Sequence, residues 1–346
     1  MPSPYPFLEN LNWLRYHVRP SLKSLDLYPN RLPRVAQSLR AAGEANARVV
    51  FAGDLIGYYA EERPRASPDL RRTLNDADRV WINLEAPIAE RRKAGRSPRT
   101  FRFKLSEEYL DELWQELALD PKKLILNLAN NHIADFGEAG FRSTVEYCEK
   151  RGIALTGRAK RETLGTSAGP IAIAAASEWM NFADDPVGRS TVKWNENYLD
   201  ELELRDDEHL LVFPHWGLEF RHFQAAKYRD WFRRLAQGRN LTVVGLHSHV
   251  PGPIVREAGS ICFQSLGNFL GLQLSWPTRL SPLLSVDFAF RGGKCLGPTG
   301  YRMDFHYLRR HGGILAWCKV EELSPSLREK VQARLSLIYP EESRSP

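Results

Sequence analysis

Five short apolar segments of this chain each run directly into polar side chains that can bind metals or transfer protons. This recurrence restricts the fold more than any other feature of the sequence. In α/β sheets, ligand sites collect at the carboxyl ends of the strands, so we expect these side chains to meet at one sheet edge. They are Asp54, then Asn83 and Glu85, then Asn127 with Asn130, Asn131 and His132, then His215, and finally His247 and His249.

The apolar segments alternate with stretches whose apolar residues recur at helical spacing. Several segments are apolar on both faces, which is typical of strands buried between layers. No internal repeat or low-complexity linker divides the chain, so the pattern predicts a layered α/β protein. The predicted strands are Arg48–Ala52, Val80–Leu84, Lys123–Leu128, Pro170–Ala174, Leu210–Pro214, Thr242–Leu246, Ile261–Gln264, Leu284–Phe290 and Ile314–Val320. The predicted helices are Arg31–Ala42, Glu107–Leu117, Gly137–Arg151, Phe223–Gln237 and Pro325–Leu337.

Composition excludes several other classes of protein. A chain of 346 residues with 43% hydrophobic and 26% charged residues is globular, with one large domain or two modest ones. The net charge of +6 is spread over the whole length, too thinly to indicate nucleic acid as a partner. The four cysteines show no C-x-x-C spacing, which excludes zinc fingers and disulfide scaffolds.

The amino-terminal segment lacks the apolar stretch of a secretory signal. No apolar run approaches the roughly 20 residues that a membrane-spanning helix needs. We therefore expect a cytoplasmic protein with reduced cysteines. Two interpretations of the first residues stay open: a terminal arm that packs on the domain, and a short segment that lies in a membrane interface. The residues concerned are Phe7, Leu8, Leu11, Trp13 and Leu14, beside Arg15, His17 and Arg19.

Each strand end has a simpler explanation when it is taken alone. Gly-Asp after a strand is usually a turn, Asn-Asn-His can cap a helix, and an H-x-H pair is often incidental. A metal site explains all the strand ends together, because carboxylate, amide and imidazole donors form a mixed set that suits Mn, Fe or Zn. No cysteine joins the set, which disfavours a purely structural zinc site.

The motifs GDLIG, INLEAPI, TFRF, NLANNHIADFG, HWGLEF, GLHSHVPGPI and SLGNF follow one another between about Val49 and Phe269. Together they resemble the CapA family, the bacterial capsule-synthesis or poly-γ-glutamate-synthesis group of the calcineurin-like metallophosphoesterases. The resemblance implies a four-layer α/β/β/α sandwich of the metallophosphatase type, with its metal site at the sheet edge. We expect this domain to span residues 48–339, with residues 1–47 as an extension that packs on it and residues 340–346 as a disordered tail.

The same resemblance implies roles for individual residues. Two divalent ions (Mn, Fe or Zn) are expected. His132 resembles a histidine that gives a proton to a leaving group, and Asp135 is placed to orient it. Glu219 and Asn268 are expected to line the substrate pocket. The residues that match metal ligands are Asp54, Glu85, Asn131, His215, His247 and His249.

Two further features bear on the site. The superfamily's first motif is usually Asp-x-His, but Ile56 stands two positions after Asp54, so one metal site is expected to bind more weakly. The segment from Arg91 to Lys104 carries seven positive charges and no acid. It is either a solvated loop or a guide for an anionic polymer or phosphate, with Arg102 as the predicted substrate residue.

The resemblance implies a metal-dependent hydrolase or transferase that acts on a γ-glutamyl amide or phosphate ester bond during capsule or poly-γ-glutamate formation. The alternative is a non-catalytic, metal-stabilised module that binds the anionic polymer or synthase partners during polymer synthesis or export. Expected partners are the anionic polymer, a phosphate or γ-glutamyl substrate and membrane-bound synthase components, and not nucleic acid. Peripheral attachment at the inner membrane is the alternative to a free cytoplasmic location.

Overall fold

A computed structural model describes residues 5, 7–37, 39, 43–57, 62–89, 102–181, 192–194, 198, 201–202, 208–271 and 273–340. The helices in these ranges are α1 (Phe7–Val18), α2 (Pro68–Asn75), α3 (Glu107–Glu116), α4 (Gly137–Arg151), α5 (Ala226–Ala236) and α6 (Pro325–Ile338). The strands are β1 (Val35–Gln37), β2 (Ala45–Leu55), β3 (Arg63–Arg65), β4 (Arg79–Leu84), β5 (Leu124–Asn127), β6 (Ala154–Thr156), β7 (Glu162–Gly165), β8 (Pro170–Ser177), β9 (His209–His215), β10 (Asn240–Val244), β11 (Ile254–Glu257), β12 (Ser260–Phe263), β13 (Asn268–Leu270), β14 (Leu280–Arg291), β15 (Lys294–His311) and β16 (Ile314–Lys319).

The strands form two sheets. The first has the order β3-β16-β15-β14-β2-β4-β5-β6, with β1 beside β15 and β13 beside β2. The second has the order β11-β12-β10-β9-β8-β7. In the first sheet β2, β4, β5 and β6 run parallel, and in the second β8, β9, β10 and β12 do. The carboxyl ends of each parallel group therefore lie at one edge of its sheet.

Three apolar clusters define the layers. The cluster between the sheets includes Phe51 and Trp81 from the first sheet and Phe213 from the second. The rings of Trp81 and Phe213 stack with their centroids 4.0 Å apart. The second cluster joins the other face of the first sheet to α2, α3 and α4, and the third joins the second sheet to α5. The architecture is the four-layer α/β/β/α sandwich that the resemblance implies, and the prediction of the fold is confirmed.

The predicted helix over Arg31–Ala42 is wrong. Apolar side chains recur there at helical spacing, but Val35–Gln37 forms β1 and pairs antiparallel with Arg302–Gly300 of β15. A backbone hydrogen bond from Met303 to the carbonyl of Arg34 extends this pairing. Pairing with a long neighbouring strand therefore overrides the local helical pattern in the described part of this segment.

The elements of the fold that the sequence pattern does not predict are β1, β3, β6, β7, β11, β13, β15, α1 and α2. Two of them show the reason. Strand β15 runs for 18 residues, but Gly297, Pro298 and Gly300 interrupt its alternation, and register shifts in its pairing with β14 accommodate them. Helix α2 is short, although Ser67 caps it and Pro68 occupies its first turn. The other predicted helices and strands are present, α4 with the predicted bounds and the rest with shifted ends.

Helix α1 lies against the loop that follows β9. The ring centroids of Trp13 and Phe220 are 5.8 Å apart, and Arg221 forms an ion pair with Glu9. Among the described helices, none is both long and apolar enough to cross a bilayer. The outward side chains of α1 form an apolar face made of Leu8, Leu11, Leu14 and Val18.

Candidate metal centre

The carboxyl ends of the two sheets bring the polar side chains predicted from the sequence into one buried group. Asp54 lies near the end of β2, Glu85 follows β4, and His215 ends β9. His247 and His249 stand in the loop after β10. Each of these five side chains is at most 2% exposed. Residues from distant parts of the sequence therefore meet at one place, as the strand ends predict.

Glu85, His215 and His247 form the first set of donors, with ligand atoms within 4.8 Å of one another. Nε2 of His215 lies 3.4 Å from Oε1 of Glu85 and 3.1 Å from Nδ1 of His247. The amide oxygen of Asn131 lies 2.8 Å from the same His215 nitrogen. This set therefore offers two imidazoles, one carboxylate and one amide oxygen.

Asp54, Glu85 and His249 form the second set, also within 4.8 Å. Nδ1 of His249 lies 3.3 Å from Oδ2 of Asp54 and 3.9 Å from Oε2 of Glu85. The side-chain oxygen of Asn268 lies 3.0 Å from the same His249 nitrogen. Glu85 belongs to both sets, so one carboxylate stands between them.

The Glu85 carboxylate is buried in surroundings that do not neutralise it. The side chain is completely buried, and among the described residues neither carboxylate oxygen has a hydrogen-bond partner. Burial raises the pKa of Glu85 well above its ordinary value, and the nearby Asp54 carboxylate raises it further. A buried carboxylate in such surroundings needs a proton or a cation to neutralise it.

The pKa values of the imidazoles shift in opposite directions in the two sets. Burial lowers the pKa of His215 to about 3. Burial also lowers the pKa of His247 well below its usual value, and the adjacent His215 adds to this effect. Both rings are therefore neutral at pH 7, which is the form that binds metals. Burial opposes ionisation of Asp54 and His249 as well, but their mutual contact lowers the pKa of Asp54 and raises the pKa of His249.

The H-x-H loop holds its histidines in an uncommon backbone conformation. The φ angles of His247 and His249 are 86° and 56°, in the left-handed region that residues other than glycine seldom occupy. The backbone N–H of His247 donates to Oδ2 of Asp54 over 3.3 Å. Strain of this kind, on the order of 1–3 kcal/mol per residue, tends to occur at functional sites.

His132 lies on the turn that precedes α4. Its Nδ1 is 2.7 Å from Oδ2 of Asp135, and its ring packs against Phe103 with centroids 3.9 Å apart. The side-chain oxygen of Asn130 accepts the backbone N–H groups of His132 and of the residue after it. Asn130 therefore caps this turn, while Asn131 reaches the first donor set.

A network of amides supports Asp54, and the sequence assigned it no role. Nδ2 of Asn83 donates to Oδ1 of Asp54 over 2.7 Å, and Oδ1 of Asn83 accepts from Asn127 over 2.8 Å. These three residues are register partners across β2, β4 and β5. Asn83 and Asn127 are among the strand-end residues that the sequence singles out, and their role as hydrogen-bond partners of Asp54 and of each other comes from the structure.

Two more site residues were missed, because they lie outside the five strand ends. Asn181 comes after β8, and its Nδ2 lies 3.1 Å from Nδ1 of His132 and 3.2 Å from Oδ1 of Asp135. Tyr5 precedes α1, and its hydroxyl lies 2.8 Å from Nε2 of His247. The polar end of β8 was a usable signal for Asn181, whereas the sequence around Tyr5 offers none.

The predicted substrate residues occupy different positions around the centre. Arg102 is exposed, next to Phe103, whose backbone N–H donates to Asp135 over 2.7 Å. Glu219 accepts a hydrogen bond from Tyr5, and Asn268 contacts His249 as described above. Most of the predicted basic segment, residues 91–101, lies outside the described residues, as does the predicted tail from residue 341 onwards.

Fold and donor sets together define the class: a metallophosphoesterase-type sandwich with a candidate metal centre at the strand ends. The family model described as bacterial capsule synthesis protein PGA_cap matches residues 48–273, more than half of the chain. The chain belongs to this family, and the resemblance noted in the sequence is confirmed.

The individual relatives share little sequence identity with the chain. The chain is 25% identical over 256 residues to the PGA biosynthesis protein CapA of Bacillus subtilis strain 168. This match covers 69% of the chain and 62% of the relative, so the chain spans less than two thirds of that protein. A hypothetical protein from Thermus thermophilus is 17% identical with a TM-score of 0.42, and the match covers 75% of this chain and 99% of that one. The calcineurin-like phosphoesterase YfkN of Bacillus subtilis is 8% identical with a TM-score of 0.39, covering 85% and 99% respectively.

Proposed function

We propose that this chain is a metal-dependent hydrolase or transferase in capsule or poly-γ-glutamate formation, acting on a γ-glutamyl amide or a phosphate ester bond. Membership of the capsule synthesis family supports the process, and the two donor sets support the chemistry. The single observation that carries the proposal is the Glu85 carboxylate, which is completely buried without a hydrogen-bond partner among the described residues.

The residues present fit a divalent metal. Neutral imidazoles, carboxylates and an amide oxygen are the donors that Mn, Fe and Zn accept. Glu85, Asn131, His215 and His247 would hold one ion, and a second would be held by Asp54, Glu85 and His249. A bound ion of this kind supplies Lewis-acid polarisation of a phosphoryl or acyl oxygen.

His132 then acts as the general acid. Asp135 holds Nδ1 of the ring over 2.7 Å, so the proton for the leaving group comes from Nε2. The Asp135 carboxylate is itself held by the backbone N–H of Phe103 and by Asn181. These contacts fix the ring plane, and the leaving amine or alkoxide receives the proton as its bond breaks.

Arg102 supports an anionic substrate. The residue is exposed and directly precedes Phe103, whose backbone N–H donates to Asp135. Both an anionic polymer such as poly-γ-glutamate and a phosphate ester carry the negative charge that an arginine binds. We further propose that membrane-bound synthase components are partners of the chain. It would then act in the cytoplasm or at the inner-membrane face.

Metal removal and reconstitution test the proposal. The purified full chain is treated with chelator, reloaded with Mn²⁺, Fe²⁺ or Zn²⁺, and assayed on γ-glutamyl peptides, phosphomonoesters and phosphodiesters. We expect turnover of one substrate class only in the reloaded protein, and its loss in Glu85→Gln. Failure of every metal to bind, or turnover that survives complete metal removal, contradicts the proposal.

A second candidate function is the non-catalytic, metal-stabilised module that binds the anionic polymer or synthase partners. One observation favours it: the ligand residues and His132 are at most 6% exposed, so a substrate reaches them only after neighbouring segments move. In that case the reloaded protein gains thermal stability but turns over none of the substrates. The protein then binds poly-γ-glutamate. Glu85→Gln lowers this affinity only to the extent that the variant is unfolded.

A further inference from the structure

Tyr5, which precedes α1, reaches into the candidate metal centre. Tyr5 is buried, and its hydroxyl lies 2.8 Å from both Nε2 of His247 and Oε1 of Glu219. Trp13, from α1, donates its indole N–H to the other oxygen of Glu219 over 2.7 Å. The ring of Tyr5 packs edge-on against Trp179, with centroids 4.8 Å apart. The amino-terminal segment therefore supplies a polar contact to a candidate metal ligand.

The two nitrogens of His247 face different neighbours. Nδ1 lies 3.1 Å from His215 and thus points toward the first donor set. Nε2 points to Tyr5, on the opposite side of the ring. A neutral imidazole has one donor and one acceptor nitrogen, so a ring that offers its Nδ1 lone pair to a cation keeps its proton on Nε2.

The direction of the hydrogen bonds agrees with this assignment. The carboxylate of Glu219 only accepts, so the hydroxyl proton of Tyr5 is donated to it. The oxygen of Tyr5 then accepts from the Nε2–H of His247. The hydrogen bonds thus form a series in which His247 donates to Tyr5 and Tyr5 donates to Glu219. The Nδ1 lone pair of His247 is left facing His215.

We propose that Tyr5, backed by Glu219, is a positioning residue that fixes the tautomer and ring orientation of His247 for metal binding. Hydrogen bonds to the outer nitrogen of metal-binding histidines commonly serve this purpose. Here the contact is made by the amino-terminal segment rather than by the sandwich itself. This inference rests on the proposed metal-binding function, and it makes Tyr5 part of the centre.

Tyr5→Phe is the decisive variant, because it keeps the ring that packs on Trp179 and removes only the hydroxyl. Tyr28→Phe is the matched control. The Tyr28 hydroxyl is also buried, but it donates to the carbonyl of Gln224 and accepts from Gln264, away from both donor sets. A purely structural role for Tyr5 predicts the same outcome in the two variants.

Titration calorimetry of the chelator-treated full chain with Mn²⁺ and with Zn²⁺ gives the first readout. We expect the affinity of the tighter site to fall about 10–100-fold in Tyr5→Phe and to stay unchanged in Tyr28→Phe. The thermal midpoints of the two metal-free variants should be similar. Equal affinities in wild type and Tyr5→Phe, or an equal loss in both variants, overturns the inference.

The second readout does not need a bound metal. Nitrogen-15 NMR of the histidine-labelled, metal-free chain reports which ring nitrogen carries the proton, and the His247 signal is assigned from its loss in His247→Gln. We expect a protonated Nε2 in wild type and Tyr28→Phe, with mixed tautomers in Tyr5→Phe. If wild type binds neither ion but shows this dependence, the proposed function fails, and Tyr5 fixes the His247 tautomer without serving metal binding. If the tautomer is the same in all three proteins, the positioning role fails.

Discussion

The Nδ1 atom of His132 lies 2.7 Å from the carboxylate of Asp135, three residues further along the same turn. Phe103 and Asn181, from two other parts of the chain, hold that carboxylate in place. Among the described residues, the Asp135 carboxylate therefore holds the His132 ring at Nδ1. The proposed proton donor is therefore distinct from the candidate metal ligands.

Replacing His132 by Ala should abolish most turnover and leave metal binding intact. Loss of a general acid lowers rates on the order of 10²–10⁴-fold. Metal binding should persist, because the His132 ring contacts Asp135 and Asn181, which are not candidate ligands. Asp135→Asn should lower turnover less, because the ring remains. Metal analysis and steady-state rates on a substrate with a poor leaving group check this. Full activity in His132→Ala contradicts the assigned role.

Replacing His215 or His247 by Ala should remove metal and leave the fold intact. Both rings lie at strand ends rather than between the layers, so truncation removes a donor more than core packing. His222→Asn is a matched control, since His222 is equally buried but belongs to neither donor set. Elemental analysis and circular dichroism of the purified variants give the answer. Unchanged metal content in both Ala variants would show that the ligand assignment is wrong.

The two sites should differ in affinity, because the first set offers two imidazoles and the second only one. We expect the protein to purify with roughly one tightly held metal and to need added Mn²⁺ for full occupancy. Calorimetry on chelator-treated protein should show two unequal binding events, and two equal tight events would contradict the assignment. Ile56 stands where the superfamily's first motif usually has a histidine, and it packs in the apolar cluster beside the helices. We therefore expect Ile56→His to destabilise the fold by about 1–3 kcal/mol.

The strand-end residues were predictable because parallel strands place their carboxyl ends together. Asp54 and Asn83 are direct register partners, so identifying the strands was enough to bring their ends together. Tyr5 was not predictable, because its place depends on how α1 packs against the loop after β9. The tertiary packing that positions Tyr5 leaves no periodic signal in the sequence.

The secondary structure likewise was predictable where local signals decide it and unpredictable where tertiary packing does. Helix α6 has Ser324 and Pro325 at its start, and α2 has the same signal at Ser67 and Pro68. The capping chemistry was therefore readable in both cases, but the helix of only eight residues offered too little periodicity. At Val35–Gln37 the local pattern was misleading, since pairing with β15 decided the conformation.

Phe213→Ala should destabilise the protein and also weaken metal binding. The Phe213 ring stacks on Trp81 between the sheets, and His215 follows two residues later on the same strand. Loss of a buried phenylalanine costs about 3–5 kcal/mol, and the cavity lets the end of β9 shift. Phe232 lies in α5, in the cluster between that helix and the second sheet. Phe232→Ala should lower the stability as much without changing the affinity for the metal. Denaturant unfolding with calorimetry separates the two effects, and unchanged affinity in Phe213→Ala contradicts the prediction.

His222 should make the metal-free protein lose stability in acid. Its ring is buried, Nδ1–H donates to the carbonyl of Pro251 over 2.7 Å, and Nε2 has no partner among the described residues. Burial, with a smaller contribution from Arg334, lowers the pKa of His222 to about 3, whereas an unfolded histidine titrates near a pKa of about 6.5. Between these values the unfolded chain binds a proton that the folded chain does not. Stability is therefore complete above pH ~6.5 and falls as the pH drops toward 3.

His222→Asn keeps a donor for Pro251 and removes the titrating group. Denaturant unfolding of chelator-treated wild type and variant at pH 7.5, 5.5 and 4.5 measures the difference. Below pH ~6.5 the wild type should lose up to about 1.4 kcal/mol per pH unit more than the variant. His215 and His247 titrate in the same sense in both proteins, so their contribution cancels in the comparison. Parallel pH profiles would mean that the unfolded and folded states hold the His222 proton equally, and that burial of this ring does not control its charge.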